Sequence, residues 1–254
     1  MSKNKISMSI IQAIVGSAVA QLISSPTIGG FGEFGIWNPG QYNGNSPTLI
    51  ATAFAGNGGN GSVTQSGSCL LFFVATSPPH GSLSDPSVDV VSVSFQTVGL
   101  TRLDSVTISQ SSGNGGELRL TAYGLLNPPL STDNTIQLVL SAGNVEYYAA
   151  AETVYTSVSS IGAVVTASNT STSPSVTVPS TLGNLVANGM ALYNQNVLAT
   201  ATVGTGQTLD GFSNTIGAQN TLVAERSSQS TSTDVGWSLN GSAAWTEIGI
   251  ELQK

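Results

Sequence analysis

His80, in "SPPHGS", is the only histidine of the chain. A serine-hydrolase relay built on it would take Ser82 or Ser84 as nucleophile and Asp85 as the orienting acid. No G-x-S-x-G elbow is present to expose such a serine. A histidine between prolines and a glycine reads as a loop residue. Cys69, the only cysteine, sits in the apolar run "SCLLFFVAT", which points to a buried thiol. One cysteine and one histidine cannot assemble a zinc centre. Calcium needs only oxygens, and Asp85, Asp89 and the Asp133-Asn134 loop tip supply some. No D-x-[DN]-x-[DN]-G loop organises them, so they read as solvated turns, and no metal or other cofactor is expected.

Paired carboxylates for glycoside cleavage are the next possibility. Glu146 and Glu152 share one face of a strand, about 20 Å apart by strand rise. Glu247 and Glu251 are about 13 Å apart on the C-terminal strand. Both spacings overshoot a catalytic pair, and the expectation is four solvent-facing residues on half-exposed strands. "GNGGNG" (56–61) is followed by "SVTQSGS", which opens no helix, so it reads as a hairpin loop and not a phosphate cradle. Trp37, Trp237 and Trp245 could stack on sugar rings. The last two lie in alternating strands, where core packing is expected. Nothing in this inventory points to an enzyme.

The elements that would position these residues are almost all strands. Only 7% of the 254 residues are charged, against roughly 25% in ordinary soluble domains. The polar surface must therefore be Ser, Thr, Asn, Gln and Gly, a composition of extracellular or particle-bound β proteins. A net charge of −7 with six Lys plus Arg excludes a nucleic-acid footprint. From Thr48 onward the apolar period is two. Strands are expected over 48–55, 68–76, 88–98, 117–126, 135–142, 146–156, 162–168, 174–179, 184–193, 197–203, 220–227, 234–241 and 243–253, separated by Gly-, Pro- and Asn-rich turns. That pattern predicts an all-β fold, an antiparallel β-sandwich or jelly roll over 48–254, and no internal repeat is evident.

The exception is "SMSIIQAIVGSAVAQLISS" (7–25). Ile11, Ile14, Val15, Ala18 and Leu22 share one helical face, and Ser25-Pro26 ends the run. The spacing predicts an N-terminal α-helix over 1–25. Ser7, Ser9, Gln12, Ser17 and Gln21 make it a poor membrane span, and it is read as retained rather than as an export signal. Residues 26–47 are rich in glycine and aromatics and lack alternation, so they read as an extended arm. Phe31, Phe34, Trp37 and Tyr42 would pack on a neighbouring surface.

"RLTAYGLLNPPLSTDNTIQLVLSAGNVEYYAAAETVYTSV", "SPSVTVPSTLGNLVANGMALY" and "WSLNGSAAWTEIGIELQ" together resemble a β-sandwich module of phage virion proteins and bacterial surface proteins, lectin-like in its jelly-roll character. The resemblance covers roughly 85–254 and carries no catalytic or sugar-binding residue over. It implies a virion structural protein, and with the apolar N-terminus a capsid decoration protein. Its expected partners are further copies of itself, as a trimer, and a major capsid or other virion protein, with neither nucleic acid nor membrane. The alternative is a tail-fibre module that binds host carbohydrate.

Overall fold

The computed structural model of the chain describes residues 27–33, 48–49, 68–77, 89–109, 117–129, 136–141, 147–193, 201–214, 219–228 and 230–254. The expected helix over 1–25 lies outside them, with Ile11, Ile14, Val15, Ala18 and Leu22, as do Phe34, Trp37 and Tyr42 of the arm. Among the described residues there is no helix, and so none long and apolar enough to cross a membrane.

Seventeen strands are described. The first nine are β1 (Thr27–Glu33), β2 (Thr48–Leu49), β3 (Cys69–Ser77), β4 (Val90–Phe95), β5 (Val98–Gly99), β6 (Thr101–Ser109), β7 (Glu117–Leu126), β8 (Ile136–Leu140) and β9 (Tyr147–Thr156). The other eight are β10 (Ser160–Ser171), β11 (Ser175–Pro179), β12 (Leu185–Tyr193), β13 (Thr202–Val203), β14 (Thr208–Asn214), β15 (Gln219–Ser227), β16 (Ser232–Ser238) and β17 (Ala243–Gln253). Every pairing between them is antiparallel.

They form four sheets in two halves. The N-half has an inner sheet, β1-β9-β3-β7-β6, and an outer sheet, β2-β8-β4-β5. The C-half has an inner sheet, β10-β17-β12-β15-β14, and an outer sheet, β11-β16-β13. The layers follow from side-chain parity. On β3, Leu70, Phe72 and Val74 join Val93, Phe95, Ile136 and Leu138 in the core beneath the N-half outer sheet. Cys69, Leu71, Phe73 and Ala75 point the other way, into a core shared with Leu185, Ala187, Val223, Ile248 and Ile250 of the C-half. Val186, Met190 and Leu192 then face the C-half outer sheet, with Val176, Val178, Val235 and Trp237. Four β layers are thus stacked. The central inner strands β3, β12 and β17 are buried on both faces, which is why "CLLFFVAT" is continuously apolar. Outer strands have one wet face and alternate, as the buried–exposed pattern of β11 shows.

The two halves repeat one topology. Reading β1, β2, β3, β4, β6, β7, β8 and β9 onto β10, β11, β12, β13, β14, β15, β16 and β17 reproduces both inner-sheet orders and the order of the outer sheets, β5 alone being extra. The registers agree as well. Phe72 lies opposite Tyr123 and Glu152, and Asn188 lies opposite Ala224 and Gly249, so Phe72 and Asn188 are equivalent. Bulges recur at matching points, after Ile28 and Ile161 and again after Arg102 and Leu209. The packing between halves is reciprocal: β10 lies on β6, and β1 on β14. Such an arrangement is that of an isologous dimer held on one chain. A repeat that the amino-acid pattern left unseen is therefore plain in the sheet order.

The all-β expectation holds, and two expected strands, 117–126 and 243–253, match β7 and β17 residue for residue. The arm is not wholly strand-free: 27–33 pairs with β9 as an edge strand. β6 and β14 are also additional. All three contain a bulge, and a bulge breaks the period of two by which strands are recognised.

Candidate functional site

The chemistry-bearing residues of the described chain fall into four groups, each set by the sheet that carries it. Asp89 stands at the entrance to β4. Its carboxylate meets Arg102 Nη1 at 3.2 Å and Arg119 Nη1 at 3.4 Å, and accepts the Val90 amide at 2.9 Å. Asp89 therefore ties the outer sheet to the inner one while its side chain stays solvated, at 42% exposure. His80, Ser82, Ser84, Asp85, Asp133, Asn134, Glu146 and Trp37 lie outside the described residues, as does the 56–61 loop.

The expectation of solvent-facing glutamates is overturned. Glu152, Glu247 and Glu251 are buried, at 2%, 0% and 4% exposure. Parity explains it: each sits on an inner strand with a layer on either face. Glu247 faces the C-half outer sheet. Its Oε1 accepts a hydrogen bond from Asn188 Nδ2, and Asn188 Oδ1 accepts one from Trp237 Nε1 at 2.7 Å. Oε2 of Glu247 has no partner among the described residues. Burial pushes this carboxyl up to about 8, against a smaller opposing effect of the Asn188 bond. Glu152, opposite Phe72, faces the N-half outer sheet, and burial lifts it to about 7.

Glu251 has the opposite character. Burial would raise it, but the donors around it outweigh that and hold it below the ordinary carboxylate value. Oε1 accepts from the Thr181 amide at 2.8 Å and Asn184 Nδ2 at 2.7 Å, and Oε2 from Gln253 Nε2 at 3.0 Å. The Ala163 amide, in the β10 bulge, is a further donor. This carboxylate pins the loop before β12 and the β10 bulge to β17.

The fourth group joins the halves. Tyr155 Oη donates to Asp210 Oδ2 at 2.7 Å, and Thr221 Oγ1 donates to the Ala149 carbonyl at 3.0 Å. Asp210 occupies the β14 bulge, and burial, with the nearby Glu225 charge, raises it to about 7. Sequence reading missed both this contact and the Asn188–Glu247–Trp237 chain, in which Asn188 lies 59 residues from Glu247 and 49 from Trp237. The available signal was a lone polar residue inside an apolar run, as in "LVANGM" and "AAWTEIGI".

Trp237 and Trp245 are packed as expected, each 4% exposed. Trp245 Nε1 donates to Ser171 Oγ at 3.0 Å. Cys69 is fully buried, and burial pushes its thiol up to about 12, so it is inert. Glu152 lies in the N-half, whereas Glu247 and Glu251 share one face of β17 four residues apart, roughly 13 Å by strand rise, so no two of the glutamates form a close pair. Among the described residues no cluster of three or more His, Cys, Asp or Glu is placed to hold a metal ion. Compared with known proteins, the chain matches no family model, no curated protein and no solved structure.

Proposed function

We propose that the chain is a structural protein of a phage virion, a capsid decoration protein whose layered β body is held on the particle by its N-terminal segment. The observation that supports this reading is that, among the described residues, Glu152, Glu247, Trp237 and Cys69 are walled inside inter-sheet cores. Only 7% of the residues are charged, a composition suited to contact surfaces. The sequence resemblance to virion β-sandwich modules supplies the setting.

The mechanism is burial of apolar surface. A helix over 1–25 that loses some 800 Å² of apolar area to a capsid partner gains on the order of 20 kcal/mol, before association costs. Ile11, Ile14, Val15, Ala18 and Leu22 would form that face, and Phe31, Phe34, Trp37 and Tyr42 would extend it. The test is deletion of residues 1–25 followed by measurement of copies per purified particle. Loss of the protein from the particle is expected, and undiminished occupancy overturns the proposal.

A further inference from the structure

Among the described residues the four sheets have eight edges, and six of them besides β2 carry a device that blocks strand addition. β5 and β13 are two residues long. β11 is five residues and ends at Pro179. β1 is bulged and holds three glycines and Glu33. β6 is bulged beside Arg102 and Asp104, and the Asp104 carboxylate takes the Ser105 amide at 2.7 Å. β14 is bulged at Asp210. The eighth edge, β10, is different. After its bulge it runs Val164–Ser171 in unbroken register against β17, with no charged residue and no proline.

The direction of its free hydrogen-bonding groups can be read from Asn169, whose Oδ1 accepts the amide of Thr170 at 2.7 Å. The Thr170 amide is therefore turned away from β17. In a regular strand the even-numbered groups turn the same way. Val164, Thr166 and Ser168 thus hold their N–H and C=O groups outward, without a partner among the described residues. These three are symmetric about Thr166.

From these features we infer that β10 is a self-association edge, pairing antiparallel with β10 of a second copy about a twofold axis at Thr166. Val164 then lies opposite Ser168, and Thr166 opposite itself. Each of the three opposed pairs exchanges two ladder bonds, about six in all. A second copy is the occupant because the edge is self-complementary: it is uncharged, so its own image brings no like charges together. The area also suffices. Eight strand residues, with β6 stacked one layer away, present a face of roughly 27 by 20 Å. Two such faces bury about 1,000 Å², the threshold of a specific interface. The result is a continuous ten-stranded sheet across a dimer. It is independent of the virion reading, and it replaces the expected trimer with a twofold pair.

The test uses the full chain. Sedimentation equilibrium over a concentration series is expected to show a monomer–dimer equilibrium. Thr166→Pro removes an outward donor that β17 does not use, and Ser168→Lys puts a charge on an exposed edge position. Each is expected to weaken the dimer by roughly tenfold or more, the equivalent of losing one to two ladder bonds. Leu182→Lys, at an exposed turn, is expected to leave it unchanged. In the wild type, the amides of 164, 166 and 168 are expected to exchange slowly at high concentration and fast on dilution. A wild type monomeric throughout, a dimer insensitive to both edge variants, or association that leaves those three amides in fast exchange would each overturn the inference.

Discussion

Glu247 shows what a single buried acid does to this molecule. In the unfolded chain it ionises near 4.5, and in the folded chain near 8. Between those values the folded state keeps a proton that the unfolded state has lost, so stability is full below about pH 4.5 and falls as pH rises toward 8. The slope is roughly 1.4 kcal/mol per pH unit for each such group. Glu152 and Asp210, both raised to about 7, add to it in the same direction. Glu251 acts in the opposite sense: its stabilisation is present above the unfolded value and is lost in acid. Urea titrations at a series of pH values are therefore expected to place maximum stability near pH 4 to 5. Glu247→Gln keeps the shape and removes the charge, and should flatten the decline toward pH 8. A wild-type profile that rises from pH 5 to 8 contradicts this assignment.

A second residue-scale contact lies where the halves meet. By register, Phe73 and Gly189 are equivalent positions of the two halves. A Cβ on Gly189 would collide with the Phe73 ring. Two phenylalanines could not occupy that place, and the Phe–Gly asymmetry is what lets the inner sheets close. Gly189→Ala is expected to cost about 1 to 3 kcal/mol by overpacking, measurable by denaturant unfolding. Combining it with Phe73→Leu should recover part of that loss.

At the scale of elements, the Glu251 carboxylate fixes two irregular pieces at once, the β10 bulge and the loop before β12. A Cβ on Gly162 would run into Glu251 Oε2, so the bulge needs glycine there for space. Glu251→Gln turns one acceptor into a donor facing donors. It should cost roughly 1 to 3 kcal/mol and speed amide exchange at Thr181 and Ala163. Unchanged exchange at both sites would show that the carboxylate does not hold them. The regular elements were legible in the sequence because alternation, or a continuous apolar run, reports burial directly. β1, β6 and β14 were not, since each carries a bulge that resets the period. The repeat was faintly written: "TIGG" (27–30) and "SIGA" (160–163) stand at matching bulges, and "SPTL" (46–49) and "SPSV" (173–176) lead into β2 and β11. Four-residue echoes carry little weight until the sheet order aligns them. The buried acids were misread for a related reason. Strand period says which residues share a face but not whether another layer covers that face.

For the whole molecule, the four layers make a body in which the central strands of the inner sheets, β3, β12 and β17, are interior, while the inner-sheet edges β6 and β10 and one face of the outer sheets meet solvent. The link between halves, 157–159, is short, and Ser157 has a φ of 60°. That is a conformation glycine adopts freely. Ser157→Gly is expected to be neutral or to stabilise by up to about 1 kcal/mol, and thermal unfolding checks it. The virion reading belongs to this scale, because it concerns where the body is held. The most direct measurement is immunogold labelling, with antibody raised against residues 48–254, of gradient-purified particles from cells that express the chain. Regular labelling over the capsid surface is the expected result. Label confined to cell membranes or free protein, with none on particles, would contradict it.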